Sequence, residues 1–167
     1  MENLSVPTVL RDAITKYEGL VSSDALVLES RFDSDMPAVQ GDHTQLRQLF
    51  TNLLINAYEA LEGKGRVTIS AAFSRCEIDR LTSDGPPDPK GWITIDVDDD
   101  GPGIPADVTE RIFNPFFTTK PQGSGLGLAI VRRIVDAHEG RIDVTTSPAG
   151  GTRVEVTLPV PEERETV

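Results

Sequence analysis

The chain has 167 residues, of which 38% are hydrophobic, and this size and apolar content fit one globular domain spanning residues 1–167. The formal net charge of -11 argues against nucleic-acid binding, and a polyanionic ligand would need local positive groups or a metal ion to offset it. No apolar run reaches the length of a membrane span, the N-terminal MENLSVPTVL lacks a signal-peptide pattern, and a lone cysteine fits a reducing compartment.

Helical and extended patterns alternate along the chain. Apolar residues at three- and four-residue steps predict helices, and apolar residues at every second position predict strands. The predicted elements are, in chain order, a helix over 5–21, a strand over 26–32, a helix over 45–60, strands over 67–73 and 93–97, a helical piece over 107–112, a helix from 126 to 139, and strands around 142–144 and 154–158. Residues 74–91 read as an exposed loop and 160–167 as a frayed tail. Helices grouped against four or five mostly antiparallel strands predict an α+β two-layer sandwich.

The helix over 45–60 carries a polar line opposite its apolar stripe. Asp42, with Gln45 three residues later, gives this helix a start that resembles a capping box. Asn52 and Asn56 are one turn apart, so their amides project side by side from one flank. Asparagine is a mediocre helix former, and two in mid-helix need a reason. An ordinary solvated face is the alternative interpretation of this helix taken alone.

An acidic, glycine-rich segment follows the strand over 93–97. It reads Asp99-Asp100-Gly101-Pro102-Gly103-Ile104. Glycines allow a close approach of the backbone to a ligand, and a carboxylate at a strand end can accept hydrogen bonds from an amino group. An ordinary acidic turn is the alternative. A metal site on the three consecutive aspartates over 98–100 is disfavoured, because successive side chains on a strand point to opposite faces.

A second glycine-rich segment, Gly123-Ser124-Gly125-Leu126-Gly127-Leu128, precedes the last helix. Unpaired backbone N–H groups and the positive end of the dipole make a helix N-terminus a ready phosphate site, whereas a flexible hinge is the common alternative. Just upstream, Thr119 and Lys120 supply a donor and a cation, and phenylalanines including Phe113 anchor the loop or simply pack in the core. Segments of this kind often act as ligand lids, so a lid is expected over 114–124.

Together with Gly150-Gly151-Thr152, a turn between the last two strands, these segments resemble a family. In order, NLLINA, DDDGPGI, FNPFF, GSGLGL and GGT resemble the N, G1, F, G2 and G3 boxes of the ATP-binding catalytic domain of bacterial sensor histidine kinases. That domain belongs to the superfamily of gyrase, heat-shock chaperone, kinase and mismatch-repair ATPases. The resemblance covers residues 7–159, and FFTTKPQGSGLGLAIV is most similar to the nitrogen-regulation and metal-stress type. It implies the same sandwich fold, with ATP between the helical layer and a flexible lid.

The resemblance also implies roles for the matching residues. Asp99 would bind the adenine amino group, and Asn56, with Asn52 beside it, would hold Mg²⁺ and the phosphates. Lys120 would reach the terminal phosphates, so Asn56 and Lys120 are the catalytic candidates and Asn56 the metal ligand. The other positions expected to line the nucleotide site are Gly101, Gly103, Ile104, Phe113, Thr119, Gly123, Ser124, Gly125, Leu126, Gly127, Leu128 and Thr152.

The implied activity is donation of the ATP γ-phosphoryl group to a histidine on a separate dimerisation domain, in a cytoplasmic two-component pathway with a downstream response regulator. The chain's own histidines, His43 and His138, do not lie in a sequence like the HE-x-x-NP phosphoacceptor box. Both are interpreted as structural, with His138 near a helix C-terminus where a cation suits the dipole. The chain thus resembles an excised catalytic domain, expected to be a monomer without autophosphorylation, with residues 1–22 as a candidate linker helix.

Two rival functions stay open on the sequence: an ATPase switch of the same superfamily and a non-catalytic interaction module. Hydrolytic members are similar to one another in placing a glutamate four residues before the magnesium asparagine. Asn52 holds that position here and cannot take a proton at neutral pH. Intact Asn56 and Asp99 argue against the interaction module.

Overall fold

Three helices and seven strands are defined in the computed structural model, which describes residues 2–20, 26–32, 36–61, 65–75, 91–101, 127–146 and 150–161. The helices are α1 (Val6–Leu20), α2 (His43–Ala60) and α3 (Gly127–Ala137). The strands are β1 (Glu2–Leu4), β2 (Leu26–Phe32), β3 (Val39–Gly41), β4 (Gly65–Arg75), β5 (Gly91–Asp99), β6 (Arg141–Thr146) and β7 (Thr152–Val160). None of these helices is both long and apolar enough to cross a bilayer.

Five of the strands form one sheet in the order β2-β4-β5-β7-β6. Only β2 and β4 pair in parallel; the other three pairs are antiparallel. In the middle of the sheet Ile95 on β5 lies opposite Ala71 on β4 and Val156 on β7. The predicted α+β sandwich with a mixed, mostly antiparallel sheet is confirmed.

Burial alternates along β5 because successive side chains point to opposite faces of the sheet. Ile93, Ile95 and Val97 are buried in the core, which they share with apolar residues of all three helices. Thr94 and Asp96 lie on the opposite face, which is partly exposed. The sheet therefore has an inner face that packs beneath the helices and an outer face that carries charge.

Helix α2 is the centre of the helical layer and packs against both α1 and α3. Its apolar stripe is fully buried at Leu46, Leu49 and Phe50. The Asp42 side chain accepts a hydrogen bond from the Gln45 backbone N–H at 3.0 Å, which confirms the predicted N-cap. Helix α1 belongs to the same core, since Leu10 and Ala13 are fully buried.

The structure adds and extends elements that the sequence pattern did not give. β1 and β3 form a separate two-stranded antiparallel sheet, and at three residues each they are too short to show a period-two pattern. β7 runs through Val160, which is buried, so the first residue of the expected tail belongs to a strand. The helical piece over 107–112, the lid over 114–124 and most of the tail lie outside the described residues.

Candidate functional site

Asp99 ends β5 on the inner face and is only 6% exposed. Its Oδ1 accepts two backbone hydrogen bonds, from the N–H of Gly101 at 3.0 Å and from the N–H of Thr152 at 3.2 Å. Both bonds end on the same oxygen. Within the described part of the chain, Oδ2 receives no donor and is the oxygen that remains for a ligand.

Burial raises the pKa of Asp99 above its ordinary value, because the charged form loses solvation. The N–H groups of Gly101 and Thr152 oppose this rise, and the charges of Asp100 and Asp98 add to it. The ion pairs recorded among the described residues do not include Asp99. A buried carboxylate whose partners are neutral N–H groups suits a ligand that offers another neutral N–H donor, such as an amino group.

Gly151, the residue before β7, packs closely against Asp99. A Cβ placed on Gly151 would lie 2.1 Å from the Asp99 carbonyl oxygen and 2.6 Å from Oδ1, so no side chain fits there without a backbone shift. Gly150 takes a positive φ of 94°, which favours glycine. Thr152, the last residue of the GGT segment, is 7% exposed and donates its N–H to Asp99. The GGT sequence, which alone predicts only a hairpin, therefore shapes the surroundings of Asp99.

The aspartates on either side of Asp99 have other partners. Asp98 points to the outer face and makes a bidentate ion pair with Arg153, with distances of 2.7 Å to Nε and 2.9 Å to Nη2. This pairing raises the pKa of Arg153 further above its ordinary value. Asp100 accepts a hydrogen bond from the Arg66 N–H at 2.9 Å. The three carboxylates do not converge, and the described residues hold no cluster suited to a metal ion.

Asn52 and Asn56 lie half-buried on α2. The Nδ2 atom of Asn56 is buried and has no hydrogen-bond partner within the described segments. An unpaired buried amide costs free energy, about 1–3 kcal/mol, and therefore needs an explanation. Rotation of the amide by half a turn exchanges its nitrogen and oxygen, so Asn56 can present either atom to a ligand that completes its bonding. Its amide oxygen fits Mg²⁺, which prefers oxygen ligands and keeps several waters.

The described residues thus bring three expected site positions together, Asp99, Gly101 and Thr152, and place the two asparagines on α2. Gly127 and Leu128 form the first residues of α3, as a phosphate site at a helix N-terminus requires. The expected site residues that lie outside the described part of the chain are Gly103, Ile104, Phe113, Thr119, Lys120, Gly123, Ser124, Gly125 and Leu126.

Both histidines have structural partners. The Nε2 atom of His43 on α2 lies 2.9 Å from the Oδ2 atom of Asp12 on α1. His138 is 4% exposed; its Nδ1 lies 2.8 Å from the Ile134 carbonyl oxygen, and its Nε2 lies 3.0 Å from the Asp42 backbone N. A carbonyl can only accept and a backbone N–H can only donate, so His138 is the neutral tautomer protonated on Nδ1. The expectation of a cation at this helix end is wrong.

Comparison with known proteins decides the family. The sequence model described as "Histidine kinase-, DNA gyrase B-, and HSP90-like ATPase" matches residues 41–162. The chain belongs to this family. The match spans α2, with its two asparagines, and the Asp99 site, and it confirms the family that the five motifs predict.

The named relatives of this ATPase-family domain are sensor kinases. The sensory histidine kinase/phosphatase NtrB of Rhodobacter capsulatus is 36% identical over 161 residues, which cover 96% of this chain and 44% of the relative. The sensor histidine kinase ZraS of Escherichia coli O157:H7 is 37% identical over 145 residues, 84% of this chain and 28% of the relative. The chain therefore spans less than half the length of these relatives.

Solved structures confirm the fold. The nucleotide-free catalytic domain of the histidine kinase ThkA superposes with a TM-score of 0.76 at 29% identity, covering 96% of this chain and 97% of that one. The mycobacterial sensor histidine kinase MprB gives a TM-score of 0.75 at 26% identity, with 96% and 99% covered. The chain is thus an ATP-binding catalytic domain of the sensor histidine kinase type.

Proposed function

We propose that this domain binds Mg²⁺-ATP and donates the γ-phosphoryl group to a histidine on a separate dimerisation domain of its parent kinase. The observation that carries the proposal is the state of Asp99. It is a buried carboxylate that, among the described residues, receives backbone N–H groups on Oδ1 and no donor on Oδ2. That pattern is complementary to the adenine amino group, which is a neutral donor.

Asn56 is the residue proposed to hold Mg²⁺, through its amide oxygen. Its unpaired buried Nδ2 supports this assignment, because a phosphate oxygen can accept from that nitrogen while the amide oxygen holds the ion. The ion would neutralise phosphate charge, which matters in a chain with a net charge of -11. Asn52, one turn earlier, is proposed to bind phosphate beside it.

Helix α3 is proposed to contribute its N-terminus to phosphate binding. Its first residue is Gly127, whose backbone N–H has no partner within the helix and lies at the positive end of the helix dipole. Lys120 and the glycines upstream are proposed to complete the phosphate site. Alignment of the phosphates and stabilisation of developing charge are the main contributions that a protein makes to phosphoryl transfer.

Transfer to a histidine is favoured over hydrolysis by Asn52. An amide cannot remove a proton from an attacking water, whereas a carboxylate at this position could. Glu59 lies one turn beyond Asn56 and does not occupy the family position of that base. The proposed partners are accordingly the phosphoacceptor domain and, downstream, a response regulator in the cytoplasm.

Mixing the purified chain with the separately produced dimerisation domain of its parent kinase tests the proposal. With Mg²⁺-ATP, acid-labile phosphohistidine should form on that domain and not on His43 or His138. Asn56→Ala should abolish transfer, because it removes the proposed metal ligand. Gln48→Ala is the matched control, since Gln48 lies on the same helix and is exposed.

The two rival functions give different outcomes in the same experiment. Robust ATP turnover by the chain alone, lost in Asn56→Ala, would support an ATPase switch. Absence of Mg²⁺-ATP binding in a calorimetric titration would support a non-catalytic interaction module.

A further inference from the structure

His138 joins two helices that the proposed nucleotide site uses. Its imidazole follows the C-terminal end of α3 and contacts the residue that caps the N-terminus of α2, 96 positions earlier in the chain. We propose that His138 is a positioning residue, whose neutral ring fixes α3 to α2 and so sets the N-terminus of α3 relative to Asn52 and Asn56. The inference rests on the proposed function, since it concerns the same site.

The contact between His138 and Asp42, called the joint below, uses both ring nitrogens of His138. Nδ1–H donates to the Ile134 carbonyl one turn back on α3, which fixes the tautomer and the orientation of the ring. Nε2 is then an acceptor and receives the N–H of Asp42. That N–H is among the first four of a helix, which have no partner within the helix.

The joint replaces half of the expected capping box. In a full box, the side chain at the third helical position would reach back to the cap residue's N–H. Here the Asp42 side chain does accept from the Gln45 backbone, but the Asp42 N–H bonds to His138 instead. The cap of α2 is thus completed from another element, and α2 cannot shift along α3 without losing this bond.

The His138 ring is buried and lies close to the backbone of Gly41. A Cβ on Gly41, at the end of β3, would lie 2.9 Å from Cδ2 and 3.0 Å from Nε2 of His138. The next residue, Glu139, takes a φ of 57°, and the Gly140 N–H bonds to the Val135 carbonyl at 3.0 Å, which closes the end of α3. The ring is therefore wedged between the end of α3 and the start of α2.

The distance from this joint to the proposed phosphate end can be derived from helix geometry. α3 has 11 residues, so it is about 16 Å long. α3 packs on α2, and the same length measured along α2 from Asp42 ends near Leu53. For an antiparallel alignment of the two helices from this contact, the N-terminus of α3 lies level with Asn52, and a small shift at the joint displaces one relative to the other.

A matched pair of substitutions tests the joint. His138→Gln places an amide oxygen near the position of Nε2 and can still accept from the Asp42 N–H, while His138→Met has similar length and no strong acceptor. The Asp42 amide should exchange slowly with deuterium in the wild type and in His138→Gln, and fast in His138→Met. Unchanged protection in His138→Met would overturn the joint itself, whether or not nucleotide binds.

Nucleotide affinity, measured by calorimetry on the full chain with Mg²⁺-ATP, separates positioning from simple stability. His138→Met should weaken binding by about five- to tenfold, and His138→Gln should stay within about twofold of the wild type. Val160→Ala, a core truncation in β7 that keeps His138 and Asp42, controls for lost stability and should bind normally. Equal affinity of wild type and His138→Met overturns the inference, whereas no binding by the wild type overturns the proposed function and the inference with it.

Discussion

Asp98 and Asp99 are neighbours on β5, yet their surroundings differ in every respect that matters for binding. Asp98 lies on the outer face and is neutralised by a bidentate ion pair with Arg153. Asp99 lies on the inner face, is buried, and receives two neutral backbone N–H groups. Because successive side chains on a strand point to opposite faces, Asp98 forms a structural ion pair and Asp99 forms a candidate ligand site.

The same comparison extends to the whole sheet. On the inner face β5 is apolar at Ile93, Ile95 and Val97, and its only carboxylate stands at the end of the strand. On the outer face Asp96 and Asp98 lie across from Glu155 and Arg153 of β7. A carboxylate on the outer face thus has charged neighbours. Burial of a carboxylate on the inner face costs free energy unless a specific partner binds it.

Truncation of adjacent residues should separate the two faces most strongly. Ile95→Ala should lower the free energy of unfolding by about 2–5 kcal/mol, because Ile95 is fully buried and a cavity remains. Thr94→Ala, on the outer face, should cost about 1 kcal/mol or less. Urea denaturation measures both. Equal losses would contradict the assignment of the faces.

Much of this arrangement could be predicted from sequence, because it depends on local periodicity. Alternation along β5 predicts that Asp98 and Asp99 point to opposite faces, and the glycine boxes predict the family and the Asp99 site. Period-two patterns also locate the main strands to within a few residues.

The remainder depends on contacts between distant segments, which carry no local signal. Nothing near His138 predicts that it accepts from the Asp42 N–H, and nothing in GGT shows that Gly151 lies against Asp99. The pairing of β1 with β3 is equally non-local. The signal available for His138 was its place at a helix C-terminus, and that signal favoured the wrong charge state.

Substitution of Gly150 and of Gly151, which precede β7, tests the surroundings of Asp99 directly. Gly151→Ala should cost about 1–3 kcal/mol of stability, because its Cβ meets the Asp99 backbone, and it should also weaken nucleotide binding. Gly150→Ala has open space around it and should lose stability only through its positive φ, about 1–2 kcal/mol. Denaturation and calorimetry together distinguish them, and normal nucleotide affinity in Gly151→Ala would contradict the role of this turn.

The free energy of unfolding, measured as a function of pH, tests the burial of Asp96 on the outer face, and the expected effect is smaller. Burial raises the pKa of Asp96 from 3.8 to about 6; Glu155 and Asp98 act in the same direction and Arg153 opposes them. The proton therefore binds the folded state more tightly, so this contribution to stability is complete below about pH 4 and is lost as the pH rises through 6. The expected loss is about 1 kcal/mol after allowance for solvent screening.

Asp96→Asn should remove that component of the pH dependence, since the amide does not titrate. Asp143→Asn, on the exposed side of β6, is the matched control and should leave the wild-type slope between pH 4 and 6.5. An identical slope in wild type and Asp96→Asn would show that Asp96 does not carry it.

Calorimetric titration of Mg²⁺-ATP into wild type, Asp99→Asn and Asp98→Asn tests the central claim most directly. Loss of a charged hydrogen bond in a buried site costs about 1.5–3 kcal/mol, so Asp99→Asn should bind about 10- to 100-fold more weakly. Asp98→Asn should bind as the wild type does, because its partner is Arg153 on the other face. Unchanged affinity in Asp99→Asn, or an equal loss in both variants, would contradict the account.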